Sequence, residues 1–254
     1  MARSPAACIK TMHVVAASNT TLVSPLQPWS LHATGPPLED APLSRPKGSR
    51  DSDHEEKRRE LLRRMTQRLM RREVARPSLR DLASAADVTV PTLRHYFGGR
   101  REVVDAVLEE CLRLGRKGLD AQRTSDKAFP ESIHDYAMAL VDALRAPREV
   151  RLGDVFAVSL AEGLLDADVG RSTLTHIVEP TLVALEARLV EHMRRGDMIE
   201  TDARTAALML VTPLLVASLH QDQLNGSVIR PLSTDQLALD LSGAFVRAYG
   251  ASTH

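Results

Sequence analysis

From Asp53 onward, Leu61, Leu62, Met65, Leu69, Met70 and Val74 recur at helical spacing among Arg and Glu. That period predicts an amphipathic helix ending before Arg76-Pro77. Ser78, followed three residues later by Asp81, has the pattern of a capping box, and Leu79, Leu82, Ala83 and Ala86 give the short helix behind it an apolar face. Thr89 with Pro91 marks the start of a third helix, because a proline in the first turn gives up an N–H that has no partner there. Its inward residues are Leu93 and Phe97, and Gly98-Gly99 supplies a left-handed exit. A fourth helix is predicted from about residue 100 to 119, burying Val103, Val107, Leu108 and Leu112.

The same period continues over 131–144, 150–165, 172–195, 203–223 and 234–249. It is clearest where Val178, Leu182, Leu185, Leu189 and Met193 form one stripe. Pro213 predicts a kink, and loops are expected at Ala146-Pro147, Asp166-Ala167-Asp168, Gly196-Asp197 and Asn225-Gly226-Ser227. No strand alternation, fixed repeat or sustained heptad is present, so the fold class is all-α with about nine helices. Seven of the fourteen prolines fall in residues 1–50 among many Ser and Thr, which reads as a disordered tail carrying the lone Trp29.

Composition agrees with that class: 43% of the 254 residues are apolar, enough for a core, and 3% are aromatic, few for a β-sandwich. Cys8 and Cys111 form no CxxC pair, so neither a disulfide framework nor a cysteine zinc site is expected. The apolar run 206–219 contains Thr212 and Pro213 and falls short of the roughly twenty residues of a membrane span. Residues 12–17 are too few for a signal core, so no membrane partner and a cytoplasmic location are expected, with Asn19 and Asn225 as chance glycosylation matches.

Net charge is zero but unevenly distributed: residues 45–101 hold sixteen Lys and Arg against eight Asp and Glu, residues 102–254 fifteen against twenty-three. A basic segment beside an acidic one suits a chain of which one part meets a polyanion. The 28 Arg against 5 Lys suggest GC-rich codon usage, which accounts for the residue type but not the clustering. No GxSxG, HExxH, GxGxxG or P-loop is present, the SxxK match at Ser44 lies in the tail, and nine His are scattered. No enzyme activity, cofactor or metal is therefore expected.

Residues 78–97 have helix-turn-helix spacing. Ala83 lies where two helices cross, Asp87 occupies the turn position that needs positive φ, and Val88 and Leu93 hold the second helix on the first. Thr89, Val90, Pro91, Thr92, Arg94, His95 and Tyr96 are left on the outer face, which suits a major groove. Arg94 has two parallel donors for guanine O6 and N7, or for a phosphate. Ser78, Thr89 and Tyr96 carry hydroxyls suited to phosphates, although capping alone would also explain Ser78 and Thr89. Arg100 beside a helix N-terminus makes a phosphate seat, and His95 has no preferred role.

At these residues, and at helix 1 and the following Gly98-Gly99-Arg100-Arg101-Glu102-Val103-Val104, the chain resembles the TetR/AcrR family of bacterial transcription regulators, over roughly residues 55–118. It departs from the family at Arg94, often Tyr there, and Arg100, often Lys. With the tail that composition marks taken as 1–52, the resemblance implies a helix-turn-helix DNA-binding domain at 53–118 and a larger helical ligand-binding and dimerisation domain at 119–254. It also implies a homodimer formed by the last two helices, here through Leu210, Val211, Leu214, Val216, Leu219, Leu237, Leu241, Phe245 and Ala248, stripes an intramolecular core would equally produce. An apolar pocket for a small-molecule ligand follows in the same way, with Met138, Val141, Phe156, Leu160, His176 and Glu179 as candidate lining. The implied function is a repressor released from a double-stranded, pseudo-palindromic DNA operator by an apolar or amphipathic ligand. The alternative is a helical small-molecule-binding protein that does not regulate DNA.

Overall fold

Capping and periodicity generate eleven α-helical segments over residues 47–71, 76–146 and 150–251, which, apart from the side chains of 47–52, are those described by the computed structural model. The expected tail through residue 46, with Cys8, Trp29 and Ser44, and also Val74 and Pro147, lie outside the described residues.

Helix α1 (Lys47–Leu69) begins ahead of Asp53, so the last residues assigned to the tail are helical. Ser78 caps α2 (Leu79–Ala85): its hydroxyl accepts from the Asp81 N–H while the Asp81 carboxylate accepts from the Ser78 N–H at 2.8 Å, the reciprocal bonds of a capping box. Thr89 caps α3 (Val90–Phe97) by accepting from the Thr92 N–H, with Pro91 in the first turn. Between them Asp87 sits at φ 56°, as the turn position requires. Gly98 ends α3 with φ 89° and ψ −133°, a positive-φ conformation other than the left-handed helical one expected. Helix α4 (Arg100–Gln122) runs through the expected domain boundary at 118/119.

The remaining segments are α5 (Phe129–Arg145), α6 (Leu152–Gly163), α7 (Ala167–Thr173), α8 (Glu179–Arg195), α9 (Ala203–Ser218), α10 (Gly226–Ile229) and α11 (Thr234–Tyr249). Two π turns interrupt them, Leu174–Val178 between α7 and α8 and Leu219–Gln223 after α9. Asp166-Ala167-Asp168 is not the loop expected: the Asp166 carboxylate accepts from the N–H groups of Asp168 and Val169 and starts α7. The Asn225-Gly226-Ser227 loop likewise closes into the single turn of α10. Among the described residues there is no strand, only an isolated bridge between Met198 and Gly250.

Two buried clusters organise the chain. Leu61, Leu62 and Met65 of α1, Leu82 and Ala83 of α2, Leu93 and Phe97 of α3 and Val103, Val107 and Leu108 of α4 form one, which also takes in Val155 of α6 and Val169 of α7. The second joins Phe129, Ile133, Tyr136 and Val141 of α5 to Leu182, Leu185 and Leu189 of α8, Leu210, Val211 and Leu214 of α9 and Phe245 of α11. Each large side chain so removed from water is worth about 1.5–3 kcal/mol. Continued through its π turn, the segment Ala203–Gln223 has a mean hydropathy of 1.4 and is, by length and composition, long enough to cross a membrane. Its inner stripe, Ala206, Ala207, Leu210, Val211 and Leu214, is buried in the second core.

Candidate functional site

The tight turn from α2 to α3 is closed by the Val88 N–H donating to Ala83 O at 3.0 Å, with Leu82, Ala83, Leu93 and Phe97 buried beneath it. Thr89, Pro91, Arg94 and His95 are exposed on the opposite face, and Val90, Thr92 and Tyr96 half-buried. Thr89 and Thr92 hydroxyls bond each other at 2.9 Å. Tyr96 stacks on His54 of α1, ring centroids 4.7 Å apart, so the third helix is steadied by the first. Ser78 gives its hydroxyl proton to Asp81 at 2.7 Å, and the two Ser78 bonds hold that carboxyl below its usual value. Among the described residues Arg94 has no ion-pair partner, so its fork of N–H donors is open to solvent.

Arg100, expected as a phosphate seat, is instead turned inward and its side chain is 19% exposed. Its Nη1 donates to Glu162 Oε2 at 2.8 Å and its Nη2 to Oε1, while Nε donates to Pro77 O at 2.7 Å. Arg76 reaches the same Oε2 at 2.9 Å. A carboxylate sixty-two positions away was not visible as a partner in local sequence, and only the helix N-terminus was. Arg101 pairs with Asp168, so the start of α4 is fastened to α6 and α7 by charge.

A cavity of about 1200 Å³ opens beside α4, bounded by α1, α5, the start of α6 and the first π turn. Its apolar walls include Leu112, Leu119, Tyr136, Leu140, Leu152, Val155 and Ile177, and its charged rim includes Glu56, Arg59, Arg63 and Arg113. Of the six candidates proposed for a ligand only His176 lines it. Its Nε2 lies 3.3 Å from Asp105 on α4, and its Nδ1 is buried with no hydrogen-bond partner among the described residues. Phe156 lines only an adjoining crevice of about 10 Å³. Val141 is sealed in the second core with Met138 packed against it, Leu160 lines neither space, and Glu179 pairs with Arg204 at 2.6 Å, which holds its carboxyl below the usual range. Sequence reasoning missed Tyr136, Leu140, Gln122 and Cys111. Cys111 was in view as a lone thiol, and burial pushes its pKa up to about 11.

The stripes expected at a dimer interface divide. Leu210, Val211 and Leu214 are each 1% exposed and Phe245 is 6% exposed, so they belong to the core of the subunit. Val216 and Ala248 face out, and Leu219, Leu237 and Leu241 are half-buried. Met209, not singled out in the sequence, is 58% exposed on the same helix as Val216. Among the described residues no cluster of three His, Cys, Asp or Glu could hold a metal.

A helix-turn-helix carried on a long fourth helix, beside a larger helical body with a side cavity, defines a fold class. No protein-family model and no curated protein matches the chain. Solved structures do, and they share its fold. A protein from Mesorhizobium loti described as a TetR-family transcriptional regulator aligns with a TM-score of 0.61 at 16% identity, over 78% of this chain and 98% of that one. A TetR transcriptional regulator from Agrobacterium tumefaciens aligns at 0.57 and 21% identity, over 77% and 95%. A transcriptional regulator from Saccharomonospora viridis, solved in complex with choline, aligns at 0.60 and 17% identity, over 78% and 100%. The chain has the fold of the TetR-family regulators.

Proposed function

We propose that the protein is a sequence-specific DNA-binding transcriptional regulator, acting as a homodimeric repressor that a small apolar or amphipathic ligand releases from a pseudo-palindromic operator. The observation that carries this is the outer face of α3, where Thr89, Val90, Pro91, Thr92, Arg94, His95 and Tyr96 stand over a buried support of Leu93 and Phe97. A helix of this length enters a major groove with its exposed side chains toward base edges, while hydroxyls such as that of Thr89 position the backbone. Two copies about 34 Å apart would read successive half-sites. Residues 53–118 form the DNA-binding part of this scheme and 119–254 the ligand-binding and dimerisation part. The exposed Met209 and Val216 of α9, with Leu237, Leu241 and Ala248 of α11, are the face for the second copy.

The cavity beside α4 is the ligand site in this scheme. Its walls include Val155 of α6, the helix whose Glu162 holds Arg100, so an occupant that displaces α6 acts on the helix that follows α3. Binding of the full-length protein to its own upstream DNA against scrambled DNA at several salt concentrations tests the proposal. Selective binding that falls steeply with salt is expected. Absence of binding at low salt would leave a small-molecule-binding protein as the better account.

A further inference from the structure

Arg188 on α8 is 4% exposed. Its Nε donates to Gln122 O at 2.7 Å, its Nη1 to Ser132 O and Oγ at 3.0 and 3.3 Å, and its Nη2 to Gln122 Oε1 and Thr124 O, both at 3.1 Å. Every acceptor is a neutral oxygen. Of the carboxylates in this region, Asp135 pairs with Lys127 at 2.5 Å and Asp197 with His192 at 3.1 Å. Arg188 therefore carries its positive charge inside the protein with its hydrogen bonds satisfied by neutral oxygens and with no carboxylate in contact, Asp135, which also pairs with Lys127, attracting it only from a distance.

Two of its neighbours are walls of the cavity. The guanidinium carbon lies 5.6 Å from the Tyr136 ring centre, and Gln122 supplies two of the five acceptors. Because Oε1 of Gln122 is taken by Arg188, the orientation of that amide is fixed, and Nε2 is the group left for an occupant. The rest of the wall near Tyr136, including Ala139, Leu140 and Ala143, is apolar.

We propose that the end of the cavity between Gln122 and Tyr136 takes the carboxylate of an amphipathic ligand, drawn by the buried charge of Arg188 and held by the side-chain N–H of Gln122, with the chain of the ligand along the apolar wall. A low-dielectric surround lets one fixed charge select the sign of a group that does not touch it. This rests on the cavity being the ligand site.

Calorimetric titration of the full-length protein with dodecanoate, dodecan-1-ol and dodecyltrimethylammonium, each below its micellar range, provides the test. Dodecanoate should bind about tenfold more tightly than the alcohol, with the ammonium weakest. Gln122→Glu, which sets a carboxylate against Arg188, should invert that order while the melting curve confirms folding. An alcohol that binds as tightly as the carboxylate, or an order unchanged in Gln122→Glu, overturns the proposal. Operator binding measured on the same sample separates the two ideas: selective DNA binding without any amphiphile binding removes the ligand assignment alone, whereas a carboxylate preference without DNA binding removes the regulator alone.

Discussion

Glu162 on α6 and Arg100 on α4 meet at two points, with the carboxylate 5% exposed and Arg76 on one of the same oxygens. Removing one partner of a buried pair strands the other. Glu162→Ala should therefore cost about 3 kcal/mol in urea denaturation, and Glu162→Gln less, because the amide oxygen still accepts. If the contact also transmits ligand occupancy, Glu162→Gln should leave ligand affinity unchanged while the ligand loses its effect on operator binding.

Arg94 is exposed on the outer face of α3, so Arg94→Ala should change the melting temperature little. In competition binding it should weaken discrimination between operator and altered operator by about 1–3 kcal/mol if it reads guanine. An equal loss on every sequence would make it a phosphate contact.

Asp87 holds φ 56° at the α2–α3 turn. Asp87→Val should destabilise by about 1–2 kcal/mol because a branched side chain is strained there, whereas Asp87→Gly should match or exceed the parent protein. Thermal melts of the two variants check the difference in sign.

Gly163 and Gly170 bring α6 and α7 together so closely that a Cβ on Gly163 would stand 2.8 Å from the Gly170 Cα. Gly163→Ala should cost about 1–3 kcal/mol through overpacking. Gly115→Ala, whose added carbon would meet nothing within 4 Å, is the control and should not destabilise.

Two half-buried surface glutamates set an acid limb. Hydrogen bonds from Arg63 and Arg64 hold Glu60 at a pKa of about 2, and those from Arg194 and Arg195 hold Glu191 at about 2, against an ordinary 4.5. A carboxyl depressed in the folded state stabilises fully above its unfolded pKa, so this contribution is present above about pH 4.5 and fades as pH falls toward about 2. Melting temperatures across that window should drop less in the Glu60→Gln, Glu191→Gln double variant, and the difference should shrink in high salt.

What was legible in the sequence was local. Ser78, Thr89 and Pro91 mark the starts of α2 and α3 through bonds within one turn, and Asp87 shows the reversal between them. The same kind of signal misled at Asp166-Ala167-Asp168, where residues that favour a turn also favour a cap, and the cap prevailed. Contacts between distant segments were not legible. Periodicity marks the buried face of α5 but not which part of it meets a cavity, so Val141 and Leu140 share the second core and only Leu140 also lines the cavity. Arg100 had the charge and position of an anion seat, and its partner lies on a helix whose approach only the folded chain reveals.

The π turn Leu174–Val178 closes with the Glu179 N–H donating to Leu174 O, and Leu219–Gln223 closes in the same way at Leu224. Such a ring spans one more residue than an α-helical one, so each turn stores a single surplus residue. Deleting one residue inside Leu174–Val178 would let the segment relax into ordinary helix while Leu182, Leu185 and Leu189 keep their direction. The same deletion within α8 ahead of Leu182 would swing all three leucines through about 100° and out of the core. Leu174–Val178, none of whose residues is buried, is thus a place where the length of a helix can change by one residue without rewriting the interior.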